Sequence, residues 1–469
     1  MKDRTFEADY VIVGGGAVGM SFADVILAES DAEIIIVDKR GRPGGHWNDA
    51  YSFVRLHQPS SFYGVNSKQL GRNRRDESGP NAGLFELASR DEICLYFEQL
   101  MKDQFLPSGR VRYLPMSEYS SDGVVTSLLT GGQTRVQARR AVVDARYVGS
   151  EIPSTQAPAF GVSSGVNLIP VNGLTELQSS HGRYVVIGAG KTGVDACLWL
   201  LDNGVEPATI SWVRPRDAWF QNRAKLQGGE EFFEETMGGF ATQLEVAAQA
   251  ESLDDLFAGM EESGLWMRIS RDCWPTMFRS ATMTRDEVEL LRQVTDVVRL
   301  GHVIGIERDS MILEHGSIPS RADWLFIDCS AAGVPDRPPV TIFNDRLITL
   351  QYVMYSGLPT YSAAMTAYVE LTQPDDAVKN TLCRPMPITG NLLDVPRNLL
   401  SDIEVRQRWL NSEPIRKWMI RSRLDPTMGV ASRISRDDEP KQAVLRRYLS
   451  NIGPARANLE ELMATVAAA

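Results

Sequence analysis

Two short glycine-rich runs carry the clearest chemistry in this chain of 469 residues. The first reads Gly14-Gly15-Gly16-Ala17-Val18-Gly19, the second Gly188-Ala189-Gly190-Lys191-Thr192-Gly193. Both fit G-x-G-x-x-G. In that pattern the first glycine permits a tight turn, the second lets a pyrophosphate approach the backbone, and the third lets helix and strand pack closely. The anion then rests on free N–H groups at the positive end of a helix. The two runs differ in the residues downstream of them. Asp38, with Lys39 beside it, lies 24 residues after Gly14, where a carboxylate accepts hydrogen bonds from adenosine ribose hydroxyls. After the second run the matching place holds Arg214-Pro215-Arg216 and no acid. A ribose 2′-phosphate repels a carboxylate and is well held by guanidinium forks, so Arg214 and Arg216 point to NADPH over NADH at this unit. Two solvated surface arginines are the alternative. Lys191, inside the loop, either adds charge against the pyrophosphate or points to water.

Each run needs a strand before it and a helix after it, and the sequence supplies both. Residues 9–13 (DYVIV) form a short buried strand, 17–28 a helix, and 33–37 a second strand ending at Asp38. Residues 184–187 (YVVI), a helix from the loop to about 201, and 208–213 (ATISWV) repeat the unit. The two runs stand about 175 residues apart, which makes them two nucleotide-binding domains and not a short tandem repeat. Segments 141–149 (AVVDARYVG) and 324–333 (WLFIDCSAAG) each read as an apolar strand followed by small residues, the second ending at Gly333. Such strands return the chain to the sheet beside a nucleotide. Residues 217–298 read as a helical insertion mixing acidic and aromatic side chains, followed by a hairpin over 303–318. From 348 the chain enters Gly357-Leu358-Pro359-Thr360-Tyr361-Ser362 and a helix over 363–371, and then a tail of helices and Pro-marked turns. The expected fold class is α/β, with two Rossmann-type dinucleotide-binding domains, the helical insertion and a helical C-terminal tail. The expected division is 1–165, 166–335 with the insertion, and 336–469 returning to the first domain.

Bulk composition narrows the classes. A chain this long exceeds one ordinary core and suits two or three domains. Lys plus Arg is 49 against 60 Asp plus Glu, a net charge of −11, which argues against nucleic acid or an anionic membrane as the main partner. Cys94, Cys197, Cys273, Cys329 and Cys383 are scattered with no CxxC, which fits a reducing compartment and removes both a disulfide framework and a redox-active vicinal pair. The start runs almost at once into a strand, and no apolar run approaches the ~18–20 residues that span a bilayer. The expected location is the cytoplasm. Five histidines with no HxxxH or HExxH argue against a metal centre, and no GxSxG supports a serine hydrolase. The charged run from Lys441 reads as a solvated helix or a homo-oligomer contact.

After the first unit come Gly44-Gly45-His46-Trp47, Tyr51, Arg55, Pro59 and Ser60. With the paired fingerprints, these residues resemble the class B flavin monooxygenases, most closely over 8–65 and 183–216. The resemblance implies FAD on the first unit and NADPH on the second. It also implies that Gly44, Gly45, His46 and Trp47 contact the FAD, with Arg55, His57 and Gln58 near the isoalloxazine. His57 stands where many relatives have an acid, so it is either a catalytic group or a hydrogen-bonded structural histidine. The segment 357–362 resembles the stretch that returns to the flavin ahead of a final helix, which makes Tyr361 a candidate active-site residue. The implied events are hydride transfer from NADPH to flavin, reaction with O₂, and oxygen transfer to a small organic substrate through a flavin hydroperoxide. The family's F-x-G-x-x-x-H fingerprint is missing: residues 160–167 read FGVSSGVN, and the nearest histidine is His181. The Trp-x-Trp-x-Ile-Pro pattern of flavin halogenases is absent too.

Three functions are compatible with these residues. One is the monooxygenase. The second is an NADPH-dependent flavin oxidoreductase without oxygen insertion, and the third is a non-catalytic redox-sensing flavoprotein. A flavin carries the hard chemistry, so no nucleophile or triad is required of the protein. Its task is alignment and the exclusion of water. The insertion is a candidate wall or lid, while its rings Trp219, Phe220, Phe232, Phe233, Phe240, Phe257, Trp266, Trp274 and Phe278 are read mostly as core packing.

Overall fold

The structure, a computed structural model, describes residues 5–331, 333–334, 336–355 and 358–468. Two parallel sheets organise it. In the first, strands Phe343–Asn344, Leu347–Thr349, Gln133–Asp144, Thr5–Val13, Ile34–Val37 and Val111–Leu114 lie side by side in that order. All neighbouring pairs are parallel except the first. In the second, Asp296–Val298, Ile210–Val213, Arg183–Ile187, Trp324–Asp328 and Asn167–Pro170 are parallel throughout. Strands such as IIIV over Ile34–Val37 are buried at every position, as a sheet covered on both faces requires.

Register decides where a ligand can sit. Val13 is level with Val37 and Asp144, and Ile187 is level with Val213 and Asp328. The carboxyl ends of each sheet's central strands therefore form one edge, the edge at which open parallel sheets bind ligands. Helix Ala17–Glu29 leaves the first edge directly. It is buried along most of its length, wedged against helix Pro359–Thr372, with Ser21 Oγ donating to the Thr360 carbonyl at 2.7 Å. Helix Lys191–Asp202 leaves the second edge in the same way.

The insertion carries the expected helices, Phe233–Gln249, Leu253–Glu262 and Arg285–Leu291, and also a three-stranded sheet of Trp266–Met267, Ala218–Asn222 and Met277–Met283. It fills the crossover between two adjacent strands of the second sheet, since Asp296–Val298 pairs in parallel with Ile210–Val213. Trp219, Phe257, Trp266 and Phe278 pack as a ring cluster, with Trp266 and Phe278 stacked 4.3 Å apart. The hairpin expected after the insertion is a three-strand meander, extended by Gly161–Val162. The last helix, Glu439–Ala468, is not simply solvated. Ala455 and Leu459 are buried, Asn458 Nδ2 donates to the carbonyls of Ala247 and Ala250, and Arg447 pairs with Glu245 at 2.6 Å. No helix among the described residues is long and apolar enough to cross a membrane.

Candidate functional site

Both glycine loops open on one cavity of about 1130 Å³. Single small-ligand pockets run to ~300–1,000 Å³, and this one lies just above that range. Gly14, Gly16, Asp38 and Lys39 line it from the first sheet, and Gly188, Gly190, Lys191 and Thr192 from the second. The backbone of each loop is set by its first and third glycines. Gly14 and Gly188 take φ of +114° and +129°, which favour glycine. A Cβ on Gly19 or Gly193 would lie 2.0 or 2.1 Å from the carbonyl oxygen of Gly14 or Gly188. These third glycines are packing residues that stand behind the cradle. At Gly190 a Cβ would meet none of the described residues within 4 Å, and this part of the loop lines the cavity. That is the shape expected of a cradle for a pyrophosphate.

Asp38 ends its strand buried, its carboxylate accepting the N–H of Gly15 at 2.5 Å and of Arg40 at 2.7 Å. Burial pushes its pKa above the usual carboxylate range, against those two donors. The turn over residues 44–48 roofs the first loop: Gly44 N donates to the Gly15 carbonyl at 2.9 Å, and Gly45 lies against Gly16. Trp47 Nε1 donates to Tyr63 Oη at 2.7 Å and its ring lies 5.0 Å from that of His46. Burial, with Arg40 adding to it and Asp49 opposing, lowers the His46 pKa to about 4.

Arg55, His57 and Gln58 all line the cavity. Arg55 Nη1 and Gln58 Nε2 are held by the carbonyls of Leu87 and Phe62. The His57 carbonyl accepts from Thr282 Oγ1 of the insertion at 2.5 Å. Behind Thr282 stands the buried Arg223, paired with Glu287 at 3.0 Å and hydrogen-bonded to Asn81. Burial, with Lys191 and Arg223 nearby, holds His57 well below the ordinary imidazole range, so it is neutral near pH 7.

Two expectations are corrected. Arg214 does not reach the cavity. It is buried, ion-paired with Asp217 three residues on, and its guanidinium lies 4.8 Å from the Trp212 ring. Burial lowers its pKa to about 10. Arg299 shares the same carboxylate at 2.8 Å, so Asp217 neutralises the arginine that was expected to meet a phosphate. Arg216 does line the cavity. Tyr361 is likewise a core residue: it is fully buried, donates to Asp425 at 3.0 Å, and packs against Trp409 and Trp418. Its helix does present Leu358 and Pro359 to the cavity. Gly333 lines the cavity and bonds through its carbonyl to Glu151 N–H at 2.8 Å. Gly357 lies outside the described residues.

Lys191 is turned along its own helix to pair with Asp195, which also accepts from Tyr51 Oη at 2.6 Å. Tyr51 follows the first loop and Asp195 belongs to the second helix, so this contact ties the two units together beside the cavity. The i,i+4 spacing of Lys191 and Asp195 was a readable signal, whereas the reach of Tyr51 was not. The insertion also sends Gln221, Arg279 and Thr282 into the cavity, and no local pattern announces them. No group of three or more potential metal ligands occurs among the described residues.

Comparison with known proteins adds three findings. Residues 12–58 match the NAD(P)-binding Rossmann-like domain family. The protein of Mycobacterium tuberculosis (strain ATCC 25618 / H37Rv) named "Uncharacterized protein Rv2000" is 42% identical over 460 residues, covering 98% of this chain and 85% of its own. "Uncharacterized protein Mb2023" of Mycobacterium bovis matches with the same identity and coverage. Among solved structures, the polycyclic ketone monooxygenase of the thermophilic fungus Thermothelomyces thermophila superposes with a TM-score of 0.52 at 13% identity, covering 96% of this chain and 89% of that one.

Proposed function

The chain belongs to the family of these mycobacterial proteins and has a class B flavin monooxygenase-like fold, and we propose that it is an FAD-dependent, NADPH-consuming monooxygenase acting on a small organic molecule. The observation that carries the reading is the single cavity onto which both nucleotide loops open. Two dinucleotides on separate Rossmann units can meet end to end only if the units face a common space.

The residues present fit both groups. The loop from Gly14 to Gly16 would take the FAD pyrophosphate, Asp38 its ribose, and Gly45, His46 and Trp47 one side of it. The N-terminal end of helix Pro359–Thr372 reaches the same space, where its dipole favours negative charge on a reduced ring. Gly188, Gly190 and Thr192 would hold the NADPH pyrophosphate and Arg216 its 2′-phosphate. When bound, the flavin supplies hydride acceptance from the nicotinamide and reaction with O₂. The chain's own work is to hold the partners in line and keep bulk water out. His57 is a neutral imidazole in the cavity that offers one N–H donor and one acceptor nitrogen. Its placement is shared between the first unit and the insertion through Thr282.

The test is anaerobic mixing of the purified protein with NADPH or NADH, followed by exposure to labelled oxygen gas with a panel of organic compounds. The expected result is loss of the oxidised-flavin absorbance, faster with NADPH, and label in an organic product. The absence of the histidine fingerprint over residues 160–167 favours a second outcome, NADPH-driven reduction with no label in any product. That outcome would assign a flavin oxidoreductase instead. Protein that holds no flavin and rebinds none would sink both.

A further inference from the structure

One face of helix Lys191–Asp202 serves the second nucleotide loop at one end and meets the first unit along its length. Lys191, Asp195 and Trp199 follow one another at the i,i+4 spacing that stacks side chains on one helix face. Lys191 opens the helix and lines the cavity. Asp195 does not line the cavity, and its side chain is only 12% exposed. One of its carboxylate oxygens accepts from the Lys191 ammonium and the other from the Tyr51 hydroxyl at 2.6 Å. Farther along, Trp199 stacks on Phe53 with ring centres 5.2 Å apart, and Phe53 lies 4.7 Å from the Tyr51 ring. Tyr51 and Phe53 belong to the first unit, and Tyr51 lines the cavity as well.

A carboxylate is a poor neighbour for a phosphate. The loop over Gly188–Gly190 leads into the positive end of this helix, where free N–H groups favour an anion. Lys191 stands at that end, yet its ammonium is turned back to Asp195, so part of the positive charge available to a pyrophosphate is directed away from it. Tyr51 competes for the same carboxylate. Burial, with Asp195 beside it, holds the Tyr51 phenol well above its ordinary range, so it is a neutral donor and not a second anion. Two donors thus share one acceptor, and removing either leaves the other held more firmly.

We propose that Asp195 sets the affinity of the second unit for its dinucleotide by holding Lys191 back from the pyrophosphate, and that Tyr51, from the first unit, moderates that hold. Asp195 is then a positioning residue that acts through Lys191 and touches no ligand itself. Taking the ligand to be a dinucleotide rests on the proposed NADPH site at the second loop.

Calorimetric titration of the purified protein with NADP+, which carries the pyrophosphate, and with adenosine 2′-monophosphate, which lacks it, reads this role directly. Asp195→Asn keeps the shape of the side chain and removes its charge. It is expected to tighten NADP+ about fivefold while adenosine 2′-monophosphate stays within about twofold of the parent. In a Lys191→Met background the same substitution is expected to change NADP+ by less than about twofold, because the cation it would release is gone. Tyr51→Phe has the opposite sign and is expected to weaken NADP+ about threefold. A residue that only supported the fold would not tighten binding when replaced. At a parent-like urea midpoint, NADP+ binding that Asp195→Asn leaves unchanged or weakens overturns the proposal. A gain that persists without Lys191, or that extends equally to adenosine 2′-monophosphate, overturns it too. Where Asp195→Asn lowers the urea midpoint, Tyr51→Phe decides, and NADP+ bound as tightly as by the parent sinks the idea. Binding of neither compound by the parent protein removes the NADPH site along with this role, whereas sound parent binding with an indifferent Asp195→Asn removes the role alone.

Discussion

The two nucleotide loops have nearly the same backbone and quite different roofs. At each, the third glycine is pressed against the carbonyl of the first, with 2.0 or 2.1 Å left for a Cβ. At the first loop, however, a Cβ on the second glycine, Gly16, would already be 3.3 Å from Gly45. At the second, a Cβ on Gly190 would meet none of the described residues within 4 Å. The turn over residues 44–48 covers one loop, and among the described residues no segment comes equally close to the other at Gly190. An enclosed ligand exchanges slowly and an open one freely. The contrast therefore suits a resident cofactor on the first unit and a cosubstrate that comes and goes on the second, in keeping with the proposed function.

The sharpest test of that contrast pairs two glycines. Gly19→Ala forces a methyl group onto the Gly14 carbonyl, and the strand and helix behind the first loop must separate. The expected cost is about 4 kcal/mol, among the largest effects of single substitutions, seen as a lower urea midpoint or loss of soluble protein. Gly190→Ala places its methyl group in open space. Stability should stay within about 1 kcal/mol of the parent, while NADPH affinity falls about tenfold or more as the methyl group blocks the pyrophosphate. Equal losses of stability in the two variants would break the comparison.

The next pair separates packing from recognition in the second unit. Arg214→Ala leaves the buried Asp217 with Arg299 and the Cys273 thiol. Removing one partner of a buried pair costs roughly 3–5 kcal/mol, and the remaining arginine sets the expectation at about 3. Preference for NADPH over NADH should survive wherever the variant folds. Arg216→Ala should do the reverse, leaving the unfolding midpoint in place and lowering NADPH affinity about tenfold with little change for NADH. Binding titrations with both nucleotides distinguish the two. An Arg214 variant that switched preference would restore the role first expected of it.

Those arginines also show what the sequence could and could not reveal. The strand–loop–helix units were legible because their signals are local: a buried apolar run, glycines at fixed offsets, a carboxylate or arginine at the next strand end. Arg216 and Asp38 both line the cavity. Arg214 does not, because its fate is decided by Asp217 next door and by Arg299 far along the chain, and no spacing rule weighs those against a ligand. Tyr361 was misplaced for the same reason, since its partners Asp425, Trp409 and Trp418 come from helices folded back over it. In the insertion the helices carried capping residues such as Ser252 and Thr284. Its sheet went unseen because a two-residue strand and the fully buried Ala218–Asn222 show no alternation to read.

The smallest expected effect concerns the roof itself and turns on pH. His46 sits against Trp47 in the turn that covers the first loop, and burial depresses its pKa to about 4 from an ordinary 6.5. A histidine depressed in the folded state binds its proton more weakly there than in the unfolded chain. Above the unfolded value both states are neutral and the group contributes nothing to pH dependence. As pH falls below that value the unfolded chain takes up the proton and the folded one does not, so stability is lost over the window down to about 4. At about pH 5 the loss should reach about 2 kcal/mol relative to neutral pH. Urea unfolding at the two pH values should show it, and His46→Gln, which cannot titrate, should reduce the difference by about that amount. Because only an opened turn over residues 44–48 lets His46 take up the proton in this window, amide exchange there should rise with acid relative to the amides of residues 188–193. Uniform protection of both loops at low pH would mean that the roof over the first contributes nothing of its own.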